Sequence, residues 1–267
     1  MHIRSDTVVR RERLAFINSV TKYPSIPCYH PMGERGIMAD APLSPPAGVP
    51  LKATEKIDGC NARIILLNGC YLIGSREELL THSGDVVHNP SQGIVEALRD
   101  TADRLLMSFQ GPQIQVIYGE VYGGKVGANA KNYGGAVGFR VFDILTLSEK
   151  TISELDRKSP SEIAAWRDGG GQRFMEDSDL EELCEMLRLP MVPEGDTLAG
   201  LPASQADTLD WLRGYSGLTQ AATDGQSGPA EGVVVRSPDR SWIVKIRRED
   251  YEKAARRKPL APAPGNA

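Results

Sequence analysis

Asn68-Gly69 stands between two apolar runs, Ala62 to Leu67 and Tyr71 to Ser75. Both central residues of a type I′ turn need positive φ, and Asn-Gly adopts it at the least steric cost. The pair therefore specifies a β-hairpin. A polar segment, Lys56-Ile57-Asp58-Gly59, leads into its first strand, and Arg76 follows its second. Lys56 is thus placed where the chain enters the hairpin, before an Asp-Gly turn that lets the chain reverse tightly.

The rest of the chain can be read around that hairpin. Residues from about Asp6 to Val20 read as a short helix, ended by Tyr23-Pro24-Ser25-Ile26-Pro27, and 41–50 is a proline-rich connector. Ile94, Val95, Leu98, Ala102, Leu105, Leu106 and Phe109 recur at helical spacing, which predicts a helix over roughly 92–109. Strands are predicted over 113–121 and 138–145, with a glycine-rich loop between them. Helices are expected near 161–167, 180–188 and 206–213, with Ser178 and Glu181 as a capping box. A polar loop, Thr219 to Pro229, precedes a second hairpin, Gly232 to Arg236 and Trp242 to Ile246, turning at Ser237-Pro238-Asp239-Arg240. The tail from Pro259 is expected to be disordered.

Composition narrows the class. The 267 residues, 40% hydrophobic, suffice for one large domain or two small ones with a real core. Cys28, Cys60, Cys70 and Cys184 form no Cys-x-x-Cys, so neither a zinc nor a redox framework is implied, and a reducing cytoplasm is the simplest setting. Cys60 and Cys70 are candidates to face each other in the hairpin. No apolar run is long enough to span a membrane. Met1 to Arg13 is charged, unlike a secretory signal. A formal charge of −4 argues against a globally basic nucleic-acid binder but not against a local basic face. One such face runs through Arg236, Arg240, Lys245, Arg247, Arg248, Lys253, Arg256, Arg257 and Lys258. Glu249, Asp250 and Glu252 interrupt it, so a solvated helix end is the competing reading.

Several residues carry chemistry. A lysine nucleophile must lose its proton, and the reference value of about 10.4 must fall by roughly three units to react near neutrality. A partly buried position beside cations or a metal supplies such a shift. The plain alternative for Lys56 is an exposed strand-end lysine. Glu120 sits where a strand runs into glycines, suited to a ribose hydroxyl or a metal ion, or merely to water. Phe142 is either core or a plate for a purine. Lys245 and Arg247 share one strand face, and two cations aimed together suit a triphosphate; otherwise they form surface pairs of little worth. Gly119 to Lys125 nearly spells a Walker A loop, but Val126 stands where a hydroxyl must ligate magnesium, and no helix is expected after it. The four histidines, His2, His30, His82 and His88, show no metal-ligand spacing, and the last two are expected on a surface loop.

Taken in order, Lys56-Ile57-Asp58-Gly59, Ser75-Arg76, Gly119-Glu120-Val121-Tyr122-Gly123, Phe142-Asp143-Ile144, Glu231-Gly232-Val233-Val234-Val235-Arg236 and Lys245-Ile246-Arg247 resemble the covalent nucleotidyltransferase superfamily of polynucleotide ligases and capping enzymes. Glu55-Lys56-Ile57-Asp58-Gly59-Cys60-Asn61 is most similar to the RNA ligase branch, of the type that seals nicks in duplex RNA. The resemblance covers residues 50–248. It implies an α+β fold of the ATP-grasp-like, DNA-ligase adenylyltransferase kind, with antiparallel sheets around a nucleotide pocket and peripheral helices. One domain over 1–258 is expected, with a helical insertion at about 150–230 packed on it.

The resemblance further implies ATP and Mg²⁺ or Mn²⁺ as cofactors, and RNA ends bearing a 5′-phosphate and a 3′-hydroxyl as partners. Lys56 would take AMP as a phosphoramide, with Glu55 and Ile57 beside it in the nucleotide site. Arg76 would contact phosphate, Glu120 ribose, and Phe142 adenine. Glu231 would serve metal or nucleotide, with Glu120 a second candidate for metal. Lys245 and Arg247 would hold phosphates, Asn61 would act in sealing, and Arg236 lies where a cation is often found. Arg247 replaces the usual second lysine, which changes the geometry. Few residues follow it, so no appended domain is expected, which leaves room for a partner protein supplying RNA binding. A monomer is expected. Two other readings stay open: a nucleotidyltransferase that stops after transfer to an RNA end or small molecule, and a non-catalytic nucleic-acid-binding relative.

Overall fold

The computed structural model describes residues 11–82, 93–109, 111–225 and 227–257. Expectations for His2, His88, Lys258, the start of the first helix before Arg11, Gln92 and the tail from Pro259 lie outside these residues. The Asn-Gly turn forms as expected: Asn68 has φ 44° and Gly69 φ 74°. It joins β2 (Cys60–Leu67) to β3 (Cys70–Ser75), with Leu67 opposite Cys70 and Ala62 opposite Ser75. Cys60 begins β2 at the far end from Cys70, so these two cysteines do not face each other, and all four are free thiols.

Two antiparallel sheets carry the fold. The larger has the order β4-β3-β2-β5-β6, adding β4 (Leu79–His82), β5 (Ile114–Gly123) and β6 (Val137–Leu147). His82 therefore ends a strand rather than sitting in a loop. The smaller has the order β7-β1-β8-β9, from β1 (Leu51–Lys56), β7 (Glu194–Leu198), β8 (Gly232–Arg236) and β9 (Ile243–Arg247).

Both faces of the larger sheet are covered, so its strands are apolar on both sides. On β2, Ala62, Ile64 and Leu66 pack with Ile94, Val95, Leu98, Ala102 and Leu105 of α2 (Ile94–Ser108). The alternate residues Ile65 and Leu67 meet Ile17 and Val20 of α1 (Arg11–Val20) on the other face. That cluster also takes in Ile152 and Leu155 of α3 (Glu149–Leu155) and Ile163 of α4 (Pro160–Asp168). Burial at this density contributes about 2 kcal/mol per large side chain.

Leu180 and Cys184 of α5 (Asp177–Met186) join the α2 cluster. The smaller sheet packs on Leu209 and Leu212 of α6 (Gln205–Tyr215) and Tyr251 of α7 (Arg248–Arg256). The 150–230 segment thus contributes a strand, β7, as well as helices.

The capping box lies at Ser159 and Glu162, which begin α4, not at Ser178 and Glu181. In α5 the N-cap is Glu176, and the Asp177 carboxylate in its first turn pairs with Arg236, 2.5 Å away. Glu181 instead binds Lys52. The near-Walker stretch ends β5 in a glycine turn, with Gly123 at φ 75° and Gly124 at φ 58°, followed only by a single 3-10 turn at Ala130–Asn132.

Candidate nucleotide site

The two sheets meet at a cavity of about 560 Å³. Its lining divides by chemistry. Lys56, Arg76 and Lys245 supply positive charge, Glu120 and Asn61 supply oxygen acceptors, and Tyr23, Ile57, Phe142 and Val192 supply apolar surface.

Lys56 ends β1, and its Cα stands opposite Gly232 of β8. That pairing brings in Glu231, the residue just before β8. Lys56 Nζ donates to Glu231 Oε2 at 2.6 Å, with both side chains mostly shielded from water. Burial raises the Glu231 carboxyl, and Lys56 opposes the rise. A carboxylate so placed accepts a proton more readily than one in water.

Glu120 projects from β5 opposite Asn61 of β2. Burial pushes its carboxyl up to about 8. Lys56 and a hydrogen bond from the Gly59 amide lower it, while Glu231 and Asp58 raise it. Asn61 Oδ1 is buried and accepts no hydrogen bond. An orphaned acceptor opposite Glu120 is unusual, since buried polar atoms are nearly always satisfied. These hard oxygens suit Mg²⁺ or Mn²⁺ shared with phosphate oxygens. Among the described residues no group of three or more His, Cys, Asp or Glu forms a cage that could hold a metal.

Lys245, on β9, lines the cavity. Burial holds its ammonium below the usual lysine value, and Arg247, Lys56 and Arg76 push the same way, against Cys28. Among the described residues it forms no ion pair. Arg247 differs. It makes two hydrogen bonds to Asp250, at 2.8 and 2.9 Å, and is not among the lining residues. The strand alternation correctly gives Lys245 and Arg247 one face, but the α7 carboxylate engages the second cation. The C-terminal basic run is likewise largely self-neutralised: Glu249 pairs with Lys253, and Glu252 with Arg256. Arg76 remains half-exposed at the cavity edge, where Nη2 donates to Ser25 Oγ at 2.7 Å.

Glu55 and Arg236 also border the cavity, but the Glu55 carboxylate and the Arg236 terminal nitrogens are committed elsewhere. Glu55 accepts from the Thr219 hydroxyl and, at 2.8 Å, from the Gln220 amide, anchoring the loop that leads to Glu231. Burial raises its carboxyl above the ordinary value. Arg236, 4% exposed, pairs with Asp143 at 2.9 Å and Asp177 at 2.5 Å. Asp143 also binds Arg240 Nε at 2.9 Å and the Tyr23 hydroxyl, while Lys52 lies 4.0 Å from Asp177. This buried network ties β1, β6, β8 and α5 together beneath the cavity. Ile57 is buried against Tyr122, Tyr133 and Val192, with Phe142 packed on the same cluster.

Sequence reasoning named Arg236 and Arg240 without their partner Asp143, and gave Tyr23 and Val192 no place in the site. An aspartate inside an apolar strand was the available signal, since such residues are seldom buried without a partner.

The two-sheet architecture with a lysine-bearing cleft is the nucleotidyltransferase-type fold of RNA ligases. Solved structures of Naegleria gruberi RNA ligase share it. One mutant with ATP and Mn aligns at TM-score 0.54 and 15% identity, over 77% of this chain and 52% of that one. Another mutant, with AMP and Mn, aligns at TM-score 0.54 and 16% identity, over 79% and 53%. The form with PPi aligns at TM-score 0.54 and 17% identity, over 79% and 53%. The chain therefore spans about half the length of these structures. A search of curated proteins by sequence returned no match. The RNA ligase family model matches residues 50–253, and the chain belongs to that family.

Proposed function

We propose that this protein is an ATP-dependent RNA ligase that works through a nucleotide bound covalently to Lys56. The observation carrying this reading is the Lys56 amine held by Glu231 inside a cavity that also offers Phe142 and Lys245. Phe142 gives a purine an aromatic face, and Lys245 and Arg76 offset phosphate charge. The relatives solved with ATP, AMP and PPi support the choice of nucleotide.

In the first step Lys56 Nζ bonds to the α-phosphorus of ATP. The bond from that phosphorus to the bridging oxygen breaks, and pyrophosphate leaves. Glu231 Oε2 is within reach of the proton the amine gives up. Glu120, Glu231 and Asn61 Oδ1 would hold a divalent cation, which supplies charge neutralisation when bound. In the second step an RNA 5′-phosphate oxygen displaces the amine, and AMP passes to the RNA end. In the third a 3′-hydroxyl attacks that 5′-phosphate, forms the phosphodiester and expels AMP. Positioning and charge neutralisation do most of the work in such transfers.

A cytoplasmic setting belongs to the same proposal, supported by the four free thiols. No described helix is long and apolar enough to cross a membrane. The test is incubation with α-labelled ATP or GTP and a divalent cation, then a denaturing gel, then nicked and single-stranded RNA. Label from ATP that is chased into sealed RNA supports the ligase. Label that stops on an RNA end supports simple nucleotide transfer, and no label contradicts both.

A further inference from the structure

The family match begins at residue 50, yet the cavity does not. After α1 the chain runs alongside β9. The Lys245 amide donates to Pro27 O at 2.9 Å, and the Tyr29 amide donates to Lys245 O at 3.0 Å. Lys245 is thus held by β8 on one side and by this segment on the other. Tyr23, Pro24 and Ile26 line the cavity, and Ser25 Oγ accepts from Arg76.

Tyr23 lines the cavity beside Phe142. Its ring meets the Phe142 ring edge-on, with centroids 5.0 Å apart and planes at 70°. Its hydroxyl donates to Asp143, the next residue along β6, and accepts from Arg240 Nη2 at 2.7 Å. Arg236 Nη1 donates to Phe142 O at 3.1 Å. Phe142 is therefore fixed at its ring by Tyr23, at its carbonyl by Arg236, and through Asp143 by Tyr23 again. Stacking on a base depends on ring orientation, so whatever sets the Phe142 plane sets nucleotide binding.

We infer that the segment from Tyr23 to Tyr29 is an integral wall of the nucleotide site, in which Tyr23 positions Phe142 for the base and Ser25 positions Arg76 for phosphate. This rests on the ligase reading above.

The experiment is self-adenylylation of the full chain, with folded fraction checked by circular dichroism. Tyr23→Leu should raise the KM for ATP about tenfold with a smaller change in kcat, and Tyr23→Phe, which keeps the ring, should return KM to within about twofold of wild type. Ser25→Ala, at the cavity edge, should slow transfer to an RNA 5′-phosphate about fivefold without lowering Tm. If Tyr23→Leu does not fold, the Ser25→Ala result decides for the segment. Wild-type KM in the folded fraction of Tyr23→Leu, or unchanged transfer in Ser25→Ala, overturns the inference while leaving a labelled wild type intact. A wild type that takes no label overturns the ligase reading and this inference together.

Discussion

Lys56 and Glu231 lie 175 residues apart in the chain and 2.6 Å apart at their side-chain tips. The antiparallel pairing of β1 with β8 creates that contact, because the register sets Lys56 against Gly232. The amine therefore ends one strand, and the carboxylate immediately precedes the neighbouring strand of the same sheet. A site built on paired strands keeps its geometry through successive steps.

Replacing Glu231 tests this relationship. Glu231→Gln keeps the shape but removes the proton acceptor beside the amine. Formation of the covalent nucleotide should slow by about 10²-fold, within the usual range for losing a general base. Single-turnover labelling with α-labelled ATP measures it. A rate within about twofold of wild type would show that the carboxylate does no chemistry there.

Lys245 and Arg247 should separate. Lys245 lines the cavity, whereas Arg247 is bound to Asp250. Lys245→Ala should reduce adenylylation by about 10²-fold, and Arg247→Ala by less than about tenfold. Arg247→Ala should instead lower Tm by loosening the start of α7. Equal losses in the two variants would contradict the assignment.

Glu120 predicts a pH dependence. Its carboxyl titrates at about 8 in the fold, against an ordinary 4.5. Between those values the folded protein keeps a proton that the unfolded chain has released. Stability is therefore full below about 4.5, falls as pH rises towards about 8, and levels off above it. The raised carboxyls of Glu55 and Glu231 act in the same direction. Glu120→Gln should flatten the slope of Tm against pH in this range. A wild-type Tm that rises from pH 5 to pH 8 through this group would contradict the assignment.

The network around Asp143 should be costly to break. Asp143 is 1% exposed and receives two arginines and a tyrosine. Asp143→Ala leaves buried guanidinium charge without its partner, at a cost of about 3–5 kcal/mol. Urea denaturation measures that loss, and a change below about 1 kcal/mol would mean the network adds little.

What could be read from the sequence was local. Asn68-Gly69 specified its hairpin because two adjacent residues contain the whole signal. The helical spacing of Ile94 to Leu105 likewise specified α2 and its buried face. The proximity of Lys56, Glu120, Glu231 and Lys245 depends on long-range strand pairing, and only their order along the chain pointed to it. Two features escaped because partners outside the motif decide them. Ser178 and Glu181 fit a cap, but α5 starts earlier, at Asp177, and Lys52 engages Glu181. Arg247 read as a phosphate ligand, but Asp250, three residues on, binds its guanidinium. Tyr23 carried no motif, and its contacts with Phe142, Asp143 and Arg240, all far along the chain, bring it to the cavity.

The most direct test of the account is peptide mass spectrometry of the purified protein after incubation with ATP and Mg²⁺. The account predicts adenylate linked to Lys56 through a bond that is stable to base and labile to acid, and no adduct in Lys56→Ala. Finding no adduct, or finding it at another residue, would contradict it.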